Sequence, residues 1–226
     1  MEKRYQALLK IVEKEMQGAS SAHDIDHVMR VYNLCLVLAR DEPSIDVDVL
    51  KVSALLHDIA RVREDDDDSG NTDHAILGAE MADEILRALE YPERTIGHVK
   101  QCIASHRFRS ANRPSTTEAK ILFDADKLDV IGAIGIARCF MIAGQYGERL
   151  YSHVSIEEYV KENMVDGKRN GRIKIISQHA PNIEFETKFK RIPDTLHTVK
   201  AKQLAQQRIE YMADFFERLR KEIKVS

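Results

Sequence analysis

The chain has no tryptophan, five prolines and ten glycines among its 226 residues. Glycine and proline this scarce argue against a turn-rich β-sandwich and favour helices. There are only three cysteines, Cys35, Cys102 and Cys139, far apart and without a CxxC pair. That excludes a disulfide framework and a thiolate zinc site. Each lies in an apolar helical pattern, where a cysteine behaves as a small buried hydrophobe. No run approaches the roughly 18 apolar residues of a membrane span, and Met1-Glu2-Lys3-Arg4 does not lead into a signal segment. The expectation is a cytoplasmic protein without a membrane partner. Neither sign of charge dominates: 34 basic and 37 acidic residues give −3. No strongly basic surface announces nucleic acid.

What the chain does have is a hydrophobic period of 3.6. Apolar residues make 43% and charged residues 31%, ordinary for a globular protein. Tyr5, Leu8, Leu9, Val12 and Met16 form one face of a first helix that ends near Gly18. Ser20 and Ser21 are placed to cap a second, which runs to about Arg40 before Pro43. Further helices are expected over 46–60, 74–90, from Pro92 to about His106, over 117–145 and over 195–223. The acidic stretch from Glu64 to Asp68 reads as a solvated loop, because like charges repel. Residues 172–176 and 183–189 alternate in polarity around Pro181-Asn182, a turn signal, and predict a short β-hairpin. The whole reads as one all-α domain, 1–226, with a core at about 20–147 and a helical extension at about 150–226.

Four polar sites interrupt these apolar faces. His23-Asp24-Ile25-Asp26-His27 puts two imidazoles one turn apart, with Arg30 three residues after His27. His57-Asp58 ends the run Ala54-Leu55-Leu56, and a carboxylate there is costly to bury unless something positive meets it. Asp124, Asp126, Lys127 and Asp129 crowd one helical stretch, and His74 and His106 each sit near a helix end facing a loop. Two neutral imidazoles with two carboxylates suit a divalent cation (Mn, Fe, Co, Ni, Zn or Mg, with Mn favoured) and leave positions open for water and substrate.

The order His27, His57-Asp58, Asp126 resembles the H…HD…D pattern of the HD-domain superfamily of metal-dependent phosphohydrolases. The stretches His23-Asp24-x-x-His27-x-x-Arg30-Val31, Ala54-Leu-Leu-His-Asp58 and Phe123-Asp-Ala-Asp-Lys-Leu-Asp129 look like its YedJ/YpgQ-type branch. The resemblance covers about residues 20–147. It implies an all-α HD-domain helical bundle and carries over His27, His57, Asp58 and Asp126 as ligands of one divalent ion. His23 with Asp24 reads as a helix cap or a support for the shell. His74 and His106 stand where some members of the superfamily place ligands for a second metal. Contact with substrate phosphate or support of the metal shell is the expectation for His74 and His106, with phosphate contact assigned to His74, and His106 or Asp129 is expected to manage a proton.

Arg30 and Lys127, beside proposed ligands, are expected to bind phosphate, as are the loop residues Arg107, Arg109 and Arg113 with less support from their positions. The expected reaction is attack by metal-bound water on a phosphorus centre, with Asp58 holding the metal. The resemblance adds a nucleotide substrate, first a nucleoside triphosphate cleaved to pyrophosphate. A 5′-nucleotidase-like phosphomonoesterase, a phosphodiesterase and a non-catalytic metal- or nucleotide-binding module are the alternatives. The guanosine-tetraphosphate hydrolases follow His-Asp with x-x-Glu-Asp, whereas Ile59-Ala60-Arg61-Val62 follows here. A homodimer is left open.

Overall fold

The computed structural model describes residues 2–20, 23–107, 112–169 and 171–224. Ser21 and Arg109, expected as a cap and a phosphate ligand, lie outside the described residues. The fold is all-α, with no strand among the described residues. Two compact units follow one another along the chain, Met1–Asp126 and Lys127–Ser226.

In the first unit α1 (Glu2–Glu15), α2 (Ile25–Ala39), α3 (Val47–Leu56), the short α4 (Arg61–Asp65), α5 (His74–Ala88) and α6 (Glu93–Ser105) precede α7 (Thr117–Asp129). Helix α3 packs against α1, α2 and α6, and α5 packs against α4 and α6. Every residue of α3 from Val49 to Leu56 except Lys51 is buried, which is why its sequence reads as a continuous apolar run and not as one face. Asp46 caps it, its side chain accepting from the Val49 amide at 3.0 Å. The cap of α2 is Asp24, which accepts from the His27 amide at 3.1 Å; the expected capping serine does not take that place. Cys35, Cys102 and Cys139 are buried free thiols. Burial pushes the thiols of Cys102 and Cys139 up to about 12.

In the second unit α8 (Gly132–Tyr146), α9 (Ile156–Asn163), α10 (Pro181–Thr187), α11 (Ile192–Thr195) and α12 (Val199–Ile223) follow. The expected continuous helix over 117–145 is broken before Gly132, which takes φ +79°. A Cβ on Gly135 would strike the Val130 carbonyl, so Gly132-x-x-Gly135 serves close packing. Helix α8 packs on α10 and α12, with Phe140, Phe185, Phe215 and Phe216 forming a ring cluster.

The predicted β-hairpin is absent, for identifiable reasons. Pro181 opens a helix instead of making a turn, as its fixed φ and missing N–H favour at a first helical position. The Ala180 carbonyl accepts from the amides of Ile183 and Glu184. Residues 172–176 are engaged elsewhere: Ile173 makes a single antiparallel bridge to Met164, and the Asn163 side chain holds both the N–H and the C=O of Ile175. No single helix among the described residues is long and apolar enough to cross a membrane.

Candidate metal centre

Four helix ends in the first unit bring imidazoles to one aspartate. His27 stands in the first turn of α2, His57 caps the C-terminus of α3, His74 opens α5 and His106 caps the C-terminus of α6. After His57 the chain leaves the helix in a tight turn, closed by the Arg61 amide on the Asp58 carbonyl at 2.8 Å. That turn places Asp58 among the four rings. All five residues are buried, as is Asp126 of α7.

The Asp58 carboxylate divides them into two groups. Oδ2 lies 3.5 Å from His27 Nε2 and 3.7 Å from His57 Nε2. Oδ1 lies 3.4 Å from His74 Nε2 and 3.5 Å from His106 Nε2. In the triplets His27, His57, Asp58 and Asp58, His74, His106 the ligand atoms lie within 4.8 Å of one another. Asp126 Oδ1 joins the first group, 3.5 Å from His27 Nε2.

Ring orientation is fixed from behind. His57 Nδ1 donates to the Ala54 carbonyl at 2.8 Å, and His106 Nδ1 to the Ile103 carbonyl at 2.6 Å. A carbonyl can only accept, so each of these Nδ1 atoms carries a hydrogen. His74 Nδ1 donates to Glu64 Oε2 at 2.7 Å. In the neutral rings Nε2 is therefore a bare lone pair, aimed at another acceptor. His57 and His27 meet Nε2 to Nε2 at 3.3 Å, and so do His74 and His106. At the His74–His106 contact both nitrogens are lone pairs; acceptors that face acceptors in a buried space call for a cation between them, and imidazole with carboxylate fits a divalent transition ion.

The protonation states agree with this. Burial lowers the His57 imidazole to about 4, with the neighbouring His27 and His106 adding to the effect and Asp58 opposing it. Burial opposes the Asp58 charge, but His57, His106, His27 and His74 outweigh it and hold the carboxyl well below its usual range. A carboxylate beside a neutral imidazole is the form that binds metal.

The remaining expected residues lie at varied places. Arg30 is half-buried on α2, one turn after His27. Lys127 and Asp129 belong to the second unit, where the Asp129 carboxylate accepts from Arg138 Nη1 at 2.8 Å in a buried ion pair. Arg107 is engaged with Glu64 and Asp73, at 2.9 and 3.0 Å. His23 lies edge-on to the His27 ring, their centroids 5.9 Å apart.

Glu64 is what the sequence reading missed. The acidic stretch is not simply solvated: Glu64 reaches back to His74, and Asp67 orders the following turn by accepting from the amides of Ser69, Asn71 and Thr72. Burial works against the Glu64 charge, yet the His74 hydrogen bond, with Arg61 and Arg107, brings its carboxyl down to about 2. A run of five acidic residues hides which one turns inward, and nothing periodic links Glu64 to His74.

The HD-domain family model matches residues 24–131, which contain His27, His57, His74 and His106 and both aspartates of the centre. Residues 24–131 are thus an HD domain, and the solved structures similar to the chain include HD-superfamily hydrolases. It is 28% identical over 215 residues to the protein YpgQ of Bacillus subtilis, an alignment spanning 94% of this chain and 90% of YpgQ. The solved structure of an HD-superfamily hydrolase from Bacillus thuringiensis is similar with a TM-score of 0.71 and 26% identity, covering 100% of this chain and 99% of that one. The crystal structure of Bacillus subtilis YpgQ in complex with ADP is similar with a TM-score of 0.69 and 27% identity, covering 96% of this chain and 98% of that one. HD domains bind divalent metals, and the His/Asp cluster of this chain is one that could hold them.

Proposed function

We propose that this HD-domain phosphohydrolase acts on a nucleotide at a centre for two divalent ions that share Asp58, and that a nucleoside triphosphate is cleaved there with release of pyrophosphate. The observation that carries the reading is the Asp58 carboxylate facing two histidines with each oxygen. His27, His57, Asp58 and Asp126 hold the first ion; Asp58, His74 and His106 hold the second. The sequence alone leads to one ion, with His74 on phosphate and His106 carrying a proton. The facing lone pairs favour the ligand role for both rings. When bound, divalent ions supply Lewis-acid polarisation of a phosphoryl oxygen and lower the pKa of water.

The protein supplies the remainder. The carbonyls of Ala54 and Ile103 and the Glu64 carboxylate keep the hydrogens of His57, His106 and His74 on Nδ1, away from the reacting side. Arg30, one turn beyond His27, neutralises substrate phosphate with a guanidinium fork. The nucleotide class is supported by the ADP complex of Bacillus subtilis YpgQ, a protein similar along almost the whole chain.

A panel of nucleoside triphosphates, monophosphates, cyclic nucleotides and oligonucleotides, turned over with added Mn²⁺, tests the reading. Pyrophosphate released from a triphosphate is the expected product. Orthophosphate from monophosphates, or cleavage of the diesters alone, would reassign the substrate class. Nucleotide binding without turnover would leave a binding module.

A further inference from the structure

The second ligand group differs from the first in how its charge is supplied. The first group has Asp126 in addition to Asp58. The triplet Asp58, His74, His106 has two imidazoles and only a share of Asp58. Yet it has a carboxylate one ring away, because Glu64 Oε2 accepts from His74 Nδ1 at 2.7 Å. The other oxygen of Glu64 lies 2.9 Å from Arg107 Nη1, on the residue that directly follows His106. Arg107 also reaches Asp73, the cap immediately before His74. Arg61 binds Glu64 from its own helix at 2.9 Å and faces Asp65 at 3.2 Å. Two guanidinium groups thus meet the three carboxylates of Glu64, Asp65 and Asp73, leaving one negative charge in excess behind His74.

Resting on the two-ion reading above, we infer that Glu64 is the positioning residue that builds the second metal half-site, fixing His74 directly and the chain beside His106 through Arg107. Two physical effects act together. A carboxylate on Nδ1 keeps the His74 hydrogen there, so Nε2 stays a lone pair facing Asp58 and His106. It also makes that nitrogen a stronger donor to a cation. Without Glu64 the ring is free to take the other tautomer, with Nε2–H aimed into the site. The segments that carry His74 and His106 also lose their common tether. In the first group the His57 ring is held instead by Ala54 of its own helix.

Mn²⁺ titration of the full-length chain, read by calorimetry and by the paramagnetic resonance signal of a coupled Mn²⁺ pair, tests this without reference to turnover. The wild-type chain is expected to bind two equivalents. Glu64→Ala is expected to keep the first at unchanged affinity and to weaken the second by about ten- to a hundredfold, with the coupled signal lost. Glu64→Gln, nearly isosteric and still able to accept from Nδ1, is expected to lose less, and it decides the matter if the alanine variant does not fold. Two equivalents of wild-type affinity in the variants would overturn the inference while leaving the two-ion centre standing. Both equivalents weakened together with a lowered melting temperature would overturn it in favour of a general structural role. A wild-type chain binding a single equivalent would instead strike the two-ion reading itself, and the inference with it.

Discussion

Asp58 Oδ1 lies 3.5 Å from His106 Nε2 while the other oxygen of the same carboxylate lies 3.5 Å from His27 Nε2. One side chain therefore serves two ligand groups, and its removal should act on both. Asp58→Ala is expected to lose both equivalents of bound metal and essentially all hydrolysis. His106→Ala should lose one equivalent only. Elemental analysis of the dialysed variants checks the contrast; an alanine variant at 58 that still carries one tightly bound ion would refute the shared role.

The buried His57 imidazole also gives the metal-free protein a pH dependence whose sign is fixed. An unfolded histidine takes up its proton near 6.5, whereas His57 in the fold resists until about 4. Between those values the unfolded chain binds more protons, so stability falls as pH falls through that window and is flat above it. At about 1.4 kcal/mol per unit the loss approaches about 3 kcal/mol at its lower end. The lowered Asp58 carboxyl acts in the same direction at lower pH, its contribution being lost below its ordinary value of 3.8. Urea midpoints of chelator-treated protein between pH 7 and pH 4.5 measure this. A flat profile would show that His57 is not held neutral.

How much of this was legible in the sequence depended on the range of each signal. His27, His57, Asp58 and Asp126 stand out because they interrupt apolar helical faces in a fixed order, and the structure brings all four together. Asp24 and Ser20-Ser21 are equally good caps by composition; only the packed helix shows that Asp24 takes the amide of His27. The hairpin expectation failed because Ile183, Phe185 and Phe189 alternate with polar residues, and short helices on a core can do the same. The deciding contacts, Asn163 on Ile175 and Asn182 on Ser152, are made across 12 and 30 residues. Glu64 shows the same limit, since its partners His74 and Arg107 lie ten or more residues away and the four acidic residues that follow it mask it.

Asn182 offers a test of the second unit. Its amide accepts from the Ser152 N–H and donates to the Ser152 C=O, each at 2.9 Å and both buried. Asn182→Ala leaves two buried backbone groups without partners, each costing about 1–3 kcal/mol. The variant is expected to lose about 2–6 kcal/mol in denaturant unfolding. Asn182→Asp, which keeps the acceptor but loses the donor, should fall between it and the wild type. Equal stabilities for all three would mean that water replaces the amide at no cost.

Arg30 separates binding of substrate from binding of metal. It lies three residues after His27 on α2, so both side chains share one side of the helix. It is half-buried, which limits the water that would screen its charge. A phosphate drawn to the metal centre brings negative oxygens that metal ligands alone do not fully neutralise. A charge-assisted hydrogen bond to such an oxygen is worth about 1.5–3 kcal/mol, on the order of ten- to a hundredfold in kcat/KM. Arg30→Ala is therefore expected to lower kcat/KM for the phosphorylated substrate by that factor with metal content unchanged. Arg30→Lys should recover only part, because an ammonium is a point charge without the planar fork. The rival account is that Arg30 pairs with a neighbouring carboxylate and only steadies α2. In that case Arg30→Ala would lower the melting temperature and leave kcat/KM near the wild-type value, and the phosphate role should be dropped.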